Sequence, residues 1–254
     1  MEKLFNPFSL EGKSILVTGA SSGIGRQCAI DCSRMGAKVV AIGRNQERLD
    51  EVVSEMAGNG VGYSFDLEDL GGIKSLITKI VEENGKMDGF IHAAGTQVTN
   101  PVKLSKPEEY ESLYRVNCQS AFEIVKDLCG MKTFTKGGSV VLISSISGVI
   151  ARKGLSAYAA SKGALISAAR VMALELAPRE IRVNTISPGT ILTPMMLNAL
   201  EAMSEEDRMK RVEGFPLGLG RTEDVSYACL YLLSDASRWV TGQNLIVDGG
   251  YTAR

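Results

Sequence analysis

Residues 14–25 read Ser-Ile-Leu-Val-Thr-Gly-Ala-Ser-Ser-Gly-Ile-Gly, an apolar run that leads directly into a glycine-rich turn. The run 14–18 is predicted to be a buried β-strand, and a helical pattern begins at about Gly23. The glycines let the backbone turn tightly and approach a ligand closely. A strand, a glycine turn and a helix in this order predict a site where helix N–H groups bind the pyrophosphate of a dinucleotide, although an ordinary strand-to-helix turn is the alternative. The predicted contacts are Gly19, Ser21, Ser22, Gly23, Ile24 and Gly25.

Along the rest of the chain, apolar runs of the length of a β-strand alternate with longer stretches in which apolar residues recur with the period of a helix. Strands that are apolar on both faces need helices on both sides, so the pattern predicts an α/β protein with a Rossmann fold. Its doubly wound parallel sheet would have about seven strands. No linker or change in composition divides the 254 residues, which we expect to form one domain with residues 1–12 as an N-terminal extension. The predicted strands are 14–18, 38–42, 61–65, 89–93, 139–143, 181–186 and 245–247, and the predicted helices are 23–35, 45–56, 71–84, 108–128, 157–176 and 223–233.

The composition excludes several classes of function. The chain is 44% hydrophobic and 22% charged, with a net charge of −1. It has no excess of positive charge of the kind that binds nucleic acid or an anionic membrane surface. No apolar run reaches the ~18 residues of a membrane span, and residues 1–12 lack the apolar block of a signal peptide. Five cysteines without a CxxC pair, and a single histidine at His92, predict no metal site. We expect a cytoplasmic protein with reduced cysteines.

The end of the second predicted strand indicates which dinucleotide is bound. Gly43 and Arg44 stand where a site for NAD usually has a carboxylate that binds the adenosine ribose. A guanidinium instead suits a 2′-phosphate, which favours NADP(H) over NAD(H). The alternative is that Arg44 only begins a solvated helix. Asp66 ends the third predicted strand, where it would contact the adenine amino group or cap the next segment.

Three side chains with a fixed spacing predict the chemistry. Ser145 follows the strand 139–143, Tyr158 stands thirteen residues later, and Lys162 four residues after that. The last spacing puts Tyr158 and Lys162 on one helical face. A free phenol has a pKa of about 10, and a neighbouring ammonium would lower that pKa. With Ser145 orienting a substrate oxygen, these groups suit proton transfer in carbonyl and alcohol interconversion.

These features occur in ordered blocks that resemble the short-chain dehydrogenase/reductase family over residues 12–251. Beyond the glycine turn and the Tyr-x-x-x-Lys pair, the matching blocks are Asp66-Leu67, His-Ala-Ala-Gly (92–95), Asn117, Ile-Ser-Ser-Ile-Ser-Gly (143–148), Arg-Val-Asn (182–184), Ser-Pro-Gly-Thr-Ile-Leu-Thr (187–193) and Val-Asp-Gly-Gly (247–250).

The resemblance implies a catalytic tetrad of Asn117, Ser145, Tyr158 and Lys162. Tyr158 would be the acid/base, Lys162 would also hold the nicotinamide ribose, and Asn117 would bind a water that links Lys162 to solvent. The segment 193–215 would be a substrate-closing loop with short helices; its methionines suit either an apolar lid or a buried stripe. Further cofactor contacts would be Leu67, Ala93, Gly95, Pro188, Gly189, Ile191 and Thr193.

One residue departs from the family pattern: His92 stands where the family usually has an asparagine that joins the central strands. Imidazole also offers a donor and an acceptor, so a structural role is expected for it rather than a catalytic or pH-sensing one.

Within the family, the C-terminal half resembles 3-oxoacyl-[acyl-carrier-protein] reductases most, with Lys136 and Arg179 near positions that help dock the acidic carrier protein. Both residues also have ordinary surface interpretations. Sugar, polyol and steroid alcohol dehydrogenases share the same motifs and remain alternatives for the substrate. A non-catalytic dinucleotide sensor would have no need of Tyr158. The family suggests a homotetramer, with helices 108–128 and 157–176 at one dimer surface and residues 247–254 near another.

Overall fold

The computed structural model describes residues 6–253. Its strands form one parallel sheet in the order β3-β2-β1-β4-β5-β6-β7, which confirms the predicted doubly wound fold. The order reverses between β1 and β4, which lie side by side. The strands are β1 (Ser14–Thr18), β2 (Lys38–Gly43), β3 (Gly60–Ser64), β4 (Met87–His92), β5 (Phe134–Ile143), β6 (Arg182–Pro188) and β7 (Asn244–Val247).

Helices cover both faces of this sheet because side chains alternate along each buried strand. In β1, Ile15 and Val17 join one core cluster, which lies under the helices 23–34, 46–55 and 222–233, while Leu16 joins the other, under the helices 73–84, 120–128 and 156–176. No helix within residues 6–253 combines the length and the apolar character needed to cross a membrane. The helices are α1 (Gly23–Arg34), α2 (Gln46–Glu55), α3 (Ile73–Asn84), α4 (Pro107–Tyr114), α5 (Ser120–Leu128), α6 (Ser156–Leu176), α7 (Pro194–Glu201), α8 (Glu205–Glu213) and α9 (Thr222–Leu233).

The helix predicted over 108–128 is present, but it is not an α-helix throughout. A π-helical turn, Arg115–Gln119, separates α4 from α5. Such a turn adds a residue to the helical repeat and changes which side chain faces inward. Hydrophobic periodicity continues through it, so the sequence pattern does not reveal the break. The turn contains Asn117, which is fully buried.

Two further segments refine the predicted boundaries. Strand β5 starts at Phe134 rather than at residue 139, because Phe134 pairs with Met87 across a register shift. Gly137, with φ of 82°, takes up the irregularity, and its polar surroundings hide the strand in the sequence. Of the predicted N-terminal extension, residues 1–5 lie outside the described residues. Leu10 is fully buried, so the part that is described packs onto the domain.

Candidate active site

A cleft of about 300 Å³ opens where the strand order reverses, at the carboxyl ends of the strands. Ligands of open α/β sheets bind at such a crevice. The cleft is lined by the turn after β1, by segments that follow β2 to β5, and by residues 188–196. Asn117 is the one predicted site residue that does not line it. The predicted residues that do are Gly19, Ser21, Ser22, Gly23, Ile24, Gly25, Arg44, Asp66, Leu67, Ala93, Gly95, Ser145, Tyr158, Lys162, Pro188, Gly189, Ile191 and Thr193.

The glycine turn has the shape that a bound pyrophosphate requires. Gly19 and Gly23 have φ of 67° and 55°, in the left-handed region that favours glycine. A Cβ atom on Gly19 would lie 2.7 Å from the Ala94 nitrogen, so a larger residue would displace the loop after β4. Ser22 precedes α1 without capping it through its side chain, which leaves N–H groups of the first turn for an anion. The turn therefore fits the phosphates of a dinucleotide.

Arg44 and Asp66 line the cleft just after the ends of β2 and β3. Arg44 is exposed and forms no salt bridge with any carboxylate in residues 6–253, so its guanidinium can receive a phosphate. The Asp66 carboxylate accepts a hydrogen bond from the Glu68 nitrogen at 3.1 Å while still lining the cleft. The two interpretations of Asp66, capping and ligand contact, are thus compatible.

Ser145 and Tyr158 meet in the middle of the cleft. Ser145 follows β5 and accepts a hydrogen bond from the Ser147 nitrogen at 3.1 Å, which fixes its hydroxyl. Burial raises the pKa of the Tyr158 phenol, and the nearby Ser145 hydroxyl partly offsets that rise. The raised pKa differs from the expectation that Lys162 lowers it. At neutral pH the phenol is therefore protonated, as a proton donor must be.

Lys162 lies close to this phenol. Its Nζ atom lies 5.9 Å from the centre of the Tyr158 ring and donates a hydrogen bond to the carbonyl of Ile143 at 2.8 Å. The side chain is almost completely buried, and loss of solvent lowers its pKa to about 8, with a small opposing effect from Cys118. A lysine with a pKa of about 8 is mostly charged at neutral pH and about half charged at pH 8, so its attraction for the phenolate weakens as the pH rises through this range.

Asn117 holds the loop after β4, which lines the cleft, through hydrogen bonds. Its Oδ1 atom accepts a hydrogen bond from the Thr96 nitrogen at 2.8 Å, and its Nδ2 atom donates to the Thr96 carbonyl and to Ser161 Oγ, both at 3.0 Å. These bonds tie the loop after β4 to α6. A Cβ atom on Gly95 would lie 3.2 Å from both Asn117 Oδ1 and Lys162 Nζ, so the absence of a side chain lets the loop approach both groups closely. The predicted water contact of Asn117 stays a prediction.

His92 joins the two central strands. Its Nδ1 atom lies 3.0 Å from Thr18 Oγ1, which also accepts a weak hydrogen bond from the Ala94 nitrogen at 3.4 Å. Burial, and then the charge of Lys162, lower the pKa of the imidazole to about 3, against a smaller raising effect of the carbonyls of Val116 and Asn117. The ring is therefore neutral at physiological pH, in agreement with a structural role.

Some cleft residues were not predicted, among them Gln97 and Arg152. Met195 and Met196 also line the cleft, and they belong to the predicted loop segment 193–215. The signal for Arg152 is its place between the serine and the tyrosine, a stretch that must cross the substrate end of the cleft. Met195 and Met196 support the interpretation of segment 193–215 as an apolar lid, while Leu200 in the same segment is buried. The segment is both a wall of the cleft and a packed helix.

Comparisons with known proteins agree with this geometry. A family model described as "Enoyl-(Acyl carrier protein) reductase" matches residues 19–252. A 3-oxoacyl-[acyl-carrier-protein] reductase from Thermotoga maritima is 35% identical over 245 residues, 95% of this chain and 98% of the relative. A tropinone reductase homolog from Arabidopsis thaliana is 34% identical over 251 residues, 96% of this chain and 94% of the relative. A crystal structure of a short-chain type dehydrogenase/reductase from Mycobacterium marinum superposes with a TM-score of 0.89 at 30% identity, over 98% of both chains.

The chain belongs to the short-chain dehydrogenase/reductase family of oxidoreductases, which act on CH–OH and C=O groups.

Proposed function

We propose that this protein is an NADP(H)-dependent reductase that transfers hydride to a ketone, with Tyr158 as the proton donor. The observation that carries the proposal is that Ser145 and Tyr158 line the same cleft as the glycine turn and Arg44. A proton donor and a dinucleotide site in one cleft are what carbonyl reduction requires.

Residues of the cleft would hold the cofactor, which supplies the hydride when it is bound. The glycine turn and the N-terminus of α1 would bind the pyrophosphate. Arg44 would bind the 2′-phosphate, and Asp66 the adenine amino group. Lys162 would hold the nicotinamide ribose, with Pro188, Gly189, Ile191 and Thr193 around the nicotinamide.

The proton would come from the Tyr158 phenol. Ser145 would donate a hydrogen bond to the substrate oxygen and so orient the carbonyl. As negative charge develops on that oxygen, Tyr158 would transfer its proton to it. The buried Lys162 ammonium would then stabilise the phenolate that remains.

The substrate we favour is a 3-oxoacyl thioester, on the strength of the relatives that are 3-oxoacyl-[acyl-carrier-protein] reductases. The predicted docking of the carrier protein has less support. Lys136 pairs with Glu180 at 2.7 Å, and the Arg179 guanidinium donates to the carbonyls of Cys129 and Phe134. The tropinone reductase homolog favours a second candidate, a ketone of another class. A sugar, polyol or steroid alcohol is the remaining alternative.

A homotetramer in the cytoplasm is proposed as the working state. Exposed apolar side chains on α4 and α6, among them Tyr114, Val171 and Leu174, support an interface on the expected dimer surface. The five cysteines are all free and buried, as is usual in a reducing compartment.

The test is an NADPH-oxidation screen of the purified protein. The panel contains 3-oxoacyl thioesters, keto-sugars and cyclic ketones, with an enoyl thioester included because of the description of the matching family model. We expect NADPH oxidation with at least one ketone and none with the enoyl thioester. Turnover of the enoyl thioester alone, or of no compound, would contradict the proposal.

A further inference from the structure

One arginine lines the cleft and a second contacts a residue of the cleft wall. Arg152 lines it, on the stretch that connects Ser145 to Tyr158. Arg211 comes from α8, and its Nη1 atom lies 3.3 Å from the sulfur of Met196, which also lines the cleft. Segments that are distant in sequence thus bring two guanidinium groups to one place.

The two positive charges interact with each other. Burial lowers the pKa of Arg211, and the charge of Arg152 lowers it further, with a smaller opposing effect from Tyr251. Neither arginine forms a salt bridge with a carboxylate in the part of the chain that the structure describes. Among those residues, Asp66 is the one acidic side chain that lines the cleft, and it belongs to the end that follows β3. Two partly buried like charges cost free energy unless an anion joins them.

We propose that Arg152 and Arg211 together bind an anionic group of the substrate, a carboxylate or a phosphate, several atoms away from the ketone that Tyr158 protonates. The inference rests on the proposed function and specifies its substrate class. A guanidinium pair is well suited to the oxygens of either anion. The methionine wall formed by Met195 and Met196 would accommodate the carbon chain between the anion and the ketone.

The cofactor is a less suitable occupant of this site. Its phosphates already have the glycine turn and Arg44, which line the cleft beside β1 and β2. Arg211 instead belongs to α8, within the segment 193–215 that the family resemblance assigns to the substrate.

The experiment compares charged ketones with matched neutral ones. Levulinate and its longer homologues are tested against their methyl esters, and dihydroxyacetone phosphate against dihydroxyacetone, which separates a carboxylate site from a phosphate site. Both kcat/KM and affinity, by calorimetry with and without NADPH, are measured for the wild type, Arg152→Gln and Arg211→Gln. Lys153→Gln and Arg208→Gln are matched controls, because both residues are exposed and neither lines the cleft.

We expect the anionic member of at least one pair to be preferred by about tenfold or more, the usual scale for a charged hydrogen bond. Each glutamine variant should remove most of that preference, leave the neutral ketone and NADPH affinity unchanged, and differ from both controls. Equal binding of charged and neutral ketones by the wild type would overturn the inference, as would variants that weaken NADPH alone. Calorimetry decides this even if no ketone is reduced, an outcome that counts against the proposed function instead.

Discussion

Lys162 Nζ donates a hydrogen bond to the backbone carbonyl of Ile143, the last residue of β5, at 2.8 Å. The bond holds the ammonium beneath the strand end that leads into Ser145. It also places the charge in a buried site, where the pKa of Lys162 falls to about 8 from its ordinary 10.5.

The lowered pKa of Lys162 predicts a pH profile. Lys162 is charged below its folded pKa and neutral above it, so kcat/KM for NADPH should fall as the pH rises through about 8. The Lys162→Arg variant keeps its charge to much higher pH. Its descending limb should therefore move upward in pH, although its maximal rate is lower. If kcat/KM of the variant falls at the same pH as that of the wild type, a group other than Lys162 is titrating.

Arg44 should determine the choice of cofactor. We expect Arg44→Gln to weaken NADPH binding by about tenfold or more, because a charged hydrogen bond to the 2′-phosphate is lost. NADH affinity should change little. Arg48→Gln is the control, since Arg48 is exposed on α2 and does not line the cleft. Calorimetric titration of both cofactors measures this, and equal wild-type affinities for NADPH and NADH would refute the assignment.

Asn117 should contribute to stability through Thr96. In Asn117→Leu the Thr96 N–H and C=O groups lose their partners, at a cost of about 1–3 kcal/mol in the free energy of unfolding. Gln119→Leu, in the same π-helical turn, makes none of these contacts and should cost much less. Urea unfolding of the two variants measures the difference. Similar losses in both would mean that Asn117 does not hold the loop.

His92 should make the protein sensitive to acid. The folded pKa of about 3 lies below the ordinary 6.5, so the unfolded chain binds more protons between these values. Stability is therefore present above pH 6.5 and lost as the pH falls toward 3. From pH 7 to pH 5 this residue should account for roughly 2 kcal/mol.

The matched variant for this effect is His92→Asn, which cannot titrate. Its free energy of unfolding, from urea titrations at both pH values, should fall by less than that of the wild type over the same interval. Parallel decreases in the two proteins would mean that His92 is not the acid-sensitive group.

Local patterns predicted most of the fold and the chemistry of the cleft. The glycine turn follows a strand directly, and the spacing of Tyr158 and Lys162 is set by one turn of helix. Such features depend on neighbours in sequence, so they can be read from it. The strand boundaries were less exact where β5 begins, because the polar residues and glycines of 135–138 form an irregularity between the Phe134 pair and the Ser139 pair with β4.

Features that depend on distant contacts could not be predicted. The π-helical turn that buries Asn117 leaves the hydrophobic periodicity intact. The pKa of Tyr158 is raised by burial of its phenol, which the helical spacing from Lys162 does not reveal. Arg211 lies near Met196 and feels the charge of Arg152 through contacts between segments that are distant in sequence, so the spacing of these residues does not predict their proximity.

The central claim, that Tyr158 is the proton donor of a dinucleotide-dependent reductase, is tested most directly by Tyr158→Phe. The measurement pairs NADPH oxidation with a ketone substrate against NADPH affinity by calorimetry. We expect turnover to fall by about a hundredfold to ten-thousandfold, the usual contribution of a general acid, with NADPH affinity nearly unchanged. A variant that turns over at the wild-type rate would contradict the claim.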